Sequence, residues 1–145
     1  MKNIIFTNAS ILGNGAAIYG NATVINCTFK NNREIYYLID KNTYGGAMYG
    51  GKAIDSTFIN NYAKHGGAIT NAEAVNCRFI ENNADEDGGA AYMSKISDST
   101  FTSNEAKRGG AIAESTAAAS KFISNTAHDG GAAYGTGTII SKCEF

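Results

Sequence analysis

The seven phenylalanines of this chain fall in one series, Phe6, Phe29, Phe58, Phe79, Phe101, Phe122 and Phe145, at spacings of 23, 29, 21, 22, 21 and 23 residues. Five of them open a Phe-x-x-Asn signature that ends at Asn32, Asn61, Asn82, Asn104 and Asn125. An alanine follows two residues later in four of these, at Ala63, Ala84, Ala106 and Ala127. A second signature, Gly-Gly-Ala, begins at Gly45, Gly66, Gly88, Gly109 and Gly130, with a degenerate copy at Asn14-Gly15-Ala16. From its second glycine to the next phenylalanine there are 12 residues in four units and 14 in the first and last. Two signatures held at a nearly fixed separation define an internal repeat, which decides the architecture before any single residue does.

The period selects among repeat folds. Helical-hairpin repeats need more than about 30 residues per unit, and a propeller blade about 40. Leucine-rich repeats share the short period, but the chain has only Leu12 and Leu38 from which to build their ladder. A unit of 21 to 23 residues holds two or three short strands with their turns, which is one coil of a parallel β-helix. Ahead of the phenylalanines, Ile25-x-Cys27-x-Phe29, Ile54-x-Ser56-x-Phe58 and Val75-x-Cys77-x-Phe79 alternate with period two, so these side chains share the interior face. The sequence therefore predicts an all-β, right-handed parallel β-helix of about six coils, one of them longer than the rest; the hand follows from the bias of parallel β crossovers.

With coils about 4.8 Å apart, the phenylalanines form an internal column. The asparagines form an amide ladder at a turn, and Gly-Gly supplies the dihedrals of a sharp corner whose inner space suits alanine. The 17 glycines and the absence of proline fit many tight turns between strands whose N–H groups are all used. Residues 1–145 read as a single β-helix segment of a larger protein. Flanking domains or end-to-end self-association are expected to cover the open strand edges.

Composition excludes several functions. A net charge of −1 gives no electrostatic reason to expect nucleic acid as a partner. No apolar run approaches the roughly 20 residues of a spanning helix, so membrane insertion by this segment is not expected. The opening Met1 to Phe6 turns polar at Thr7 and Asn8, and is read as structure rather than as a signal peptide.

The alternation of Gly-Gly-Ala-Ile, as at Gly66 to Ile69, with Phe-x-x-Asn, as at Phe58 to Asn61, resembles the repeats of the chlamydial polymorphic outer membrane proteins. It is similar also to repeats in adhesin-like surface proteins of methanogenic archaea and other microbes. The resemblance covers the chain from Phe6 to Phe145. It implies a non-enzymatic passenger segment of a cell-surface or secreted protein that attaches to glycans or to other cells, with no cofactor.

Four constellations are candidates for chemistry. Cys27, Cys77 and Cys143 each stand two residues before a phenylalanine, where Ser56, Ser99 and Ser120 stand in other coils. Coils too far apart for a disulfide or a shared metal make them reduced, buried and unliganded core residues. The corner before Gly-Gly carries Lys64-His65, Glu86-Asp87, Lys107-Arg108 and His128-Asp129, read as surface ion pairs rather than a metal site on the two histidines. Asp55, Asn76 and Asp98 share one outward position three before the phenylalanine, which would set the two carboxylates roughly 10 Å apart with Arg78 nearby. A polysaccharide-active enzyme using Asp55 and Asp98 is the alternative to adhesion, since the separation is near the upper end for inverting glycosidases. A passive spacer is the third possibility.

The last candidate is the one irregular coil. From Phe29 to Gly46 there are 17 residues, where the other coils take 9 or 10. The extra length lies within residues 33–44, expected to protrude as a loop, and holds Tyr36, Tyr37 and Tyr44, three of the eight tyrosines. Insertions on repeat proteins map to loops on one face, often the binding face, and tyrosine combines an apolar ring with a polar hydroxyl suited to sugars. These three tyrosines are the expected ligand contacts, with Asp55 and Asp98 as the competing site. The bland reading of the same segment is a flap that packs its apolar residues on the helix side.

Overall fold

The computed structural model describes residues 1–35 and 42–145. Within them, 24 strands of two to five residues form four six-stranded sheets, all pairings being parallel. One coil runs Lys52–Ile54, Thr57–Ile59, Tyr62–His65 and Ile69–Thr70, with a strand in each sheet. The first sheet stacks strands from Thr23–Ile25 to Ile139–Ser141, and the second from Ile5–Thr7 to Lys121–Ile123. The third runs from Ser10–Ile11 to Thr126–Asp129 and the fourth from Ile18–Tyr19 to Ala133–Tyr134. The molecule is a right-handed parallel β-helix of about six coils.

A coil holds four strands, not two or three, because its corners are so short. Most corners turn on one left-handed residue. Between the first and second sheets this is Asn26, Asp55, Asn76, Asp98, Ala119 and Lys142, with φ of 48 to 53°. Asn31, Asn60, Glu81, Ser103 and Ser124 do the same between the second and third sheets. Asn and Asp tolerate this region best after glycine, which explains their density along the chain. The Gly-Gly corner is tighter still. A Cβ on Gly67 would collide with the carbonyl oxygens of Gly89 and Asn83. The extra residue of the 22-residue coil from Phe79 to Phe101 is absorbed as a bulge in Asn83–Asp87, where the register shifts. It places Asp85 where it accepts a hydrogen bond from the Tyr62 hydroxyl at 2.7 Å.

The interior is built of columns. Successive phenylalanine rings from Phe6 to Phe145 stack at 4.7 to 5.2 Å, nearly parallel, within the range where offset stacking is favourable. Beside them runs a fully satisfied amide ladder. The Asn82 side chain accepts from the backbone N–H and Nδ2 of Asn61, and donates to Asn104 Oδ1 and the Phe58 carbonyl, at 2.9 to 3.0 Å. A second polar column explains why cysteine alternates with serine. The hydroxyl of Ser99 accepts the Cys77 N–H at 3.0 Å and donates to the Ser97 carbonyl at 2.7 Å. Cys27, Cys77 and Cys143 are unpaired thiols. The first two are buried, but Cys143 is only half-buried because the last described coil is covered on one side.

Replacing Asn82 by alanine strands buried donors and acceptors in the coils on both sides, and is expected to cost about 3 kcal/mol in urea unfolding. Asn125→Ala, at a half-exposed rung that water reaches, is expected to cost about 1 kcal/mol. Equal losses at the two positions would mean that the ladder is not what holds the coils.

Candidate functional site

Outward positions of the fourth sheet place Tyr19, Tyr49, Thr70, Tyr92, Ala113 and Tyr134 in one register column. The adjoining corner column is Tyr44, His65, Asp87, Arg108 and Asp129. The two columns interleave. Tyr19 and Tyr49 stack at 5.2 Å, but the next coil offers the small, buried Thr70, which leaves a gap before Tyr92. The ring of Tyr44 fills it, 5.1 Å from His65, 6.1 Å from Tyr92 and 6.5 Å edge-on to Tyr49. Beyond Tyr92, where Ala113 leaves a second gap, the Arg108 guanidinium lies 5.4 Å from the Tyr134 ring centre. A row of planar groups thus runs along the helix axis from Tyr19, which is 70% exposed, to Tyr134, which is 37% exposed.

The charges under this row neutralise one another. His65 Nδ1 lies 2.9 Å from Asp87 Oδ2, and Arg108 donates through Nε and a terminal nitrogen to both Asp87 oxygens at 2.7 and 2.9 Å. These are not the surface pairs expected from the sequence: the His65 and Asp87 side chains are only 11% and 9% exposed. Aromatic neighbours cover the corner, which sequence alternation alone could not reveal. Burial lowers the His65 pKa, opposed by the charge and hydrogen bond of Asp87. Burial raises that of Tyr92, with the Asp87 charge next in size, and the Asp87 hydrogen bond raises that of Arg108. Elsewhere the corner pairs are exposed: Lys107 with Glu86 at 3.3 Å, and His128 with its own neighbour Asp129 at 3.0 Å.

Of the residues singled out in the sequence, Tyr44 belongs to the row, while Tyr36 and Tyr37 lie outside the described residues. Asp55 and Asp98 stand in one outward column, at the left-handed corner between the first and second sheets rather than on a strand face. Asn76, between them, donates from Nδ2 to Asp55 Oδ1 at 2.7 Å. The corner conformation suits Asp at both places, and Ala119 and Lys142 adopt it in later coils. Among the described residues no three His, Cys, Asp or Glu side chains gather as a metal site would require.

One residue of this region was missed. Glu34 occupies the position two after Asn32 where four later coils have alanine, and it is 2% exposed with no hydrogen-bond partner for either carboxylate oxygen. The signal was the broken alanine pattern, in the same coil as the length irregularity.

The family model of the Chlamydia polymorphic membrane protein repeat matches residues 55–72, from the corner at Asp55 through Phe58, Asn61 and Gly66-Gly67 to Ala72. No curated protein and no solved structure matches the chain.

Asp87 is the principal support of the His65 charge, so Asp87→Asn is expected to lower the His65 pKa further, leaving only the weaker pull of the Glu86 charge against burial. A nuclear magnetic resonance titration of the imidazole reads this directly. A His65 midpoint that rises or stays fixed would contradict the coupling.

Proposed function

We propose that this chain is a length of an adhesin-like β-helix displayed at a cell surface or secreted, without catalytic activity, which engages a glycan or another surface. The observation that carries this reading is the junction at Tyr44, where the irregular coil joins a row of tyrosines that is half-buried in the middle and exposed at Tyr19 and Tyr134. The interior columns are filled and hydrogen-bonded, which leaves ligand chemistry to the outer face. The repeat match over residues 55–72 supports the surface setting. Tyr36, Tyr37 and Tyr44 are the proposed contacts, and Asp55 with Asp98 is the competing site. Flanking domains or a second copy of the chain are further proposed partners.

A passive spacer is the second reading, favoured by ladders that run through the described coils with little variation. The test is to shorten residues 33–44 to the length of the neighbouring coils and screen both proteins against a polysaccharide panel. Binding that disappears on shortening is the expected result. Binding or cleavage that survives shortening but vanishes in Asp55→Asn or Asp98→Asn would transfer the site to the corner column. No binding by either protein would leave the spacer.

A further inference from the structure

The column that contains Glu34 is Ile11, Glu34, Ala63, Ala84, Ala106 and Ala127. From Ala63 onward, a methyl group is all that the narrow space between the third sheet and the Gly-Gly corner receives. The coil that places a carboxylate there is the one that takes 17 residues, not 9 or 10, to reach its second glycine. The carboxylate is 2% exposed, and neither oxygen has a hydrogen-bond partner.

The Thr43 hydroxyl and the N–H groups of Gly15 and Tyr44 draw the carboxyl toward ionisation, yet none meets its oxygens with hydrogen-bond geometry. Both N–H groups are already engaged, that of Gly15 with the Tyr44 carbonyl and that of Tyr44 with Asn14 Oδ1, each at 3.1 Å. Thr43 Oγ1 accepts the Lys64 N–H at 3.2 Å. Among the described residues, several charged and titratable groups nearby are engaged elsewhere. Arg33 is exposed, the Tyr62 hydroxyl bonds Asp85, the Tyr44 ring stacks on His65, and His65 bonds Asp87. An ionised carboxylate in such a place has lost its water and, among the described residues, gained no hydrogen-bond partner, which is costly.

We propose that Glu34 makes this corner a proton-controlled element: its carboxyl occupies the buried place as the neutral acid, and its ionisation loosens the corner that carries Thr43 and Tyr44. Burial pushes its pKa from 4.5 up to about 7, against the weaker pull of Thr43, Gly15 and Tyr44. The folded chain therefore holds this proton more tightly than the unfolded chain. The stabilisation is complete below pH 4.5, declines as pH rises, and is gone above about 7. That span caps the effect at about 300-fold in the folding equilibrium constant. Any consequence for binding rests on Tyr44 being a contact, as proposed above; the proton-controlled change does not, and it can be read without a ligand.

The experiment is thermal and urea unfolding of the intact chain as wild type, Glu34→Gln and Glu34→Ala, across the window from pH 4.5 to 7. Wild type is expected to lose stability relative to both variants as pH rises, approaching the 300-fold limit set above, about 3 kcal/mol. Curves that stay parallel throughout would overturn the proposal. If Glu34→Gln fails to fold, Glu34→Ala restores the residue of the later coils and carries the comparison. A carboxyl-carbon resonance titration supplies the second readout, because the Glu34 signal is the one absent from both variants. A midpoint near 7 is expected, and a midpoint near 4.5 would overturn the proposal as surely as parallel curves.

Discussion

No coil of this protein is a stable object alone. Its strands are two to five residues long, and their backbone groups pair with the coils before and after, never with a neighbour in the same coil. Because the fold depends on this axial hydrogen bonding, each described strand residue is tied to its counterpart one rung away. Stacking then follows as a geometric consequence. Phenylalanine rings sit 4.7 to 5.2 Å apart because the backbone sets the rung height, and their mutual attraction is a benefit of that spacing rather than its cause.

The same constraint explains which polar groups the interior accepts. A buried asparagine is normally a liability, yet here its amide repeats at the period of the ladder and finds both a donor and an acceptor on every rung. Serine and cysteine exchange along another column because either presents one atom that can accept the N–H of the preceding coil, as Ser99 does for Cys77 and Cys143 for Ser120. A group that does not repeat has no such partners. Glu34 is the clear case: Ile11 lies on one side of it and Ala63 on the other, and the ladder that satisfies Asn82 offers it nothing.

This dependence on repetition is also why so much of the fold was legible. The phenylalanine series and the Gly-Gly-Ala corners are periodic, and a period is visible in a single sequence without knowledge of any contact. The strand count per coil was less legible, since one left-handed residue suffices for a corner and no composition rule marks Met93 or Glu114 as turning points. The site was partly legible. Tyr44 stood out through the length of its coil, but its place between Tyr49 and Tyr92 depends on Thr70 being small one coil on, a relation between columns rather than along the chain. The Asp55 and Asp98 column was correctly read as outward, while its corner geometry was invisible because φ leaves no trace in side-chain alternation.

In a structure built this way, function is most economically sought where the repeat is broken. A regular column offers the same small group at every rung and has little to distinguish one ligand from another. The irregular coil breaks the length and alanine patterns at once, and both breaks converge on one corner: Glu34 beneath it and Tyr44 above, with Thr43 between them in sequence and in space. The later coils have buried or partly buried alanine in that column. The longer coil and the carboxylate are thus two aspects of one departure, and the aromatic row outside is joined through Tyr44 to a buried acid inside.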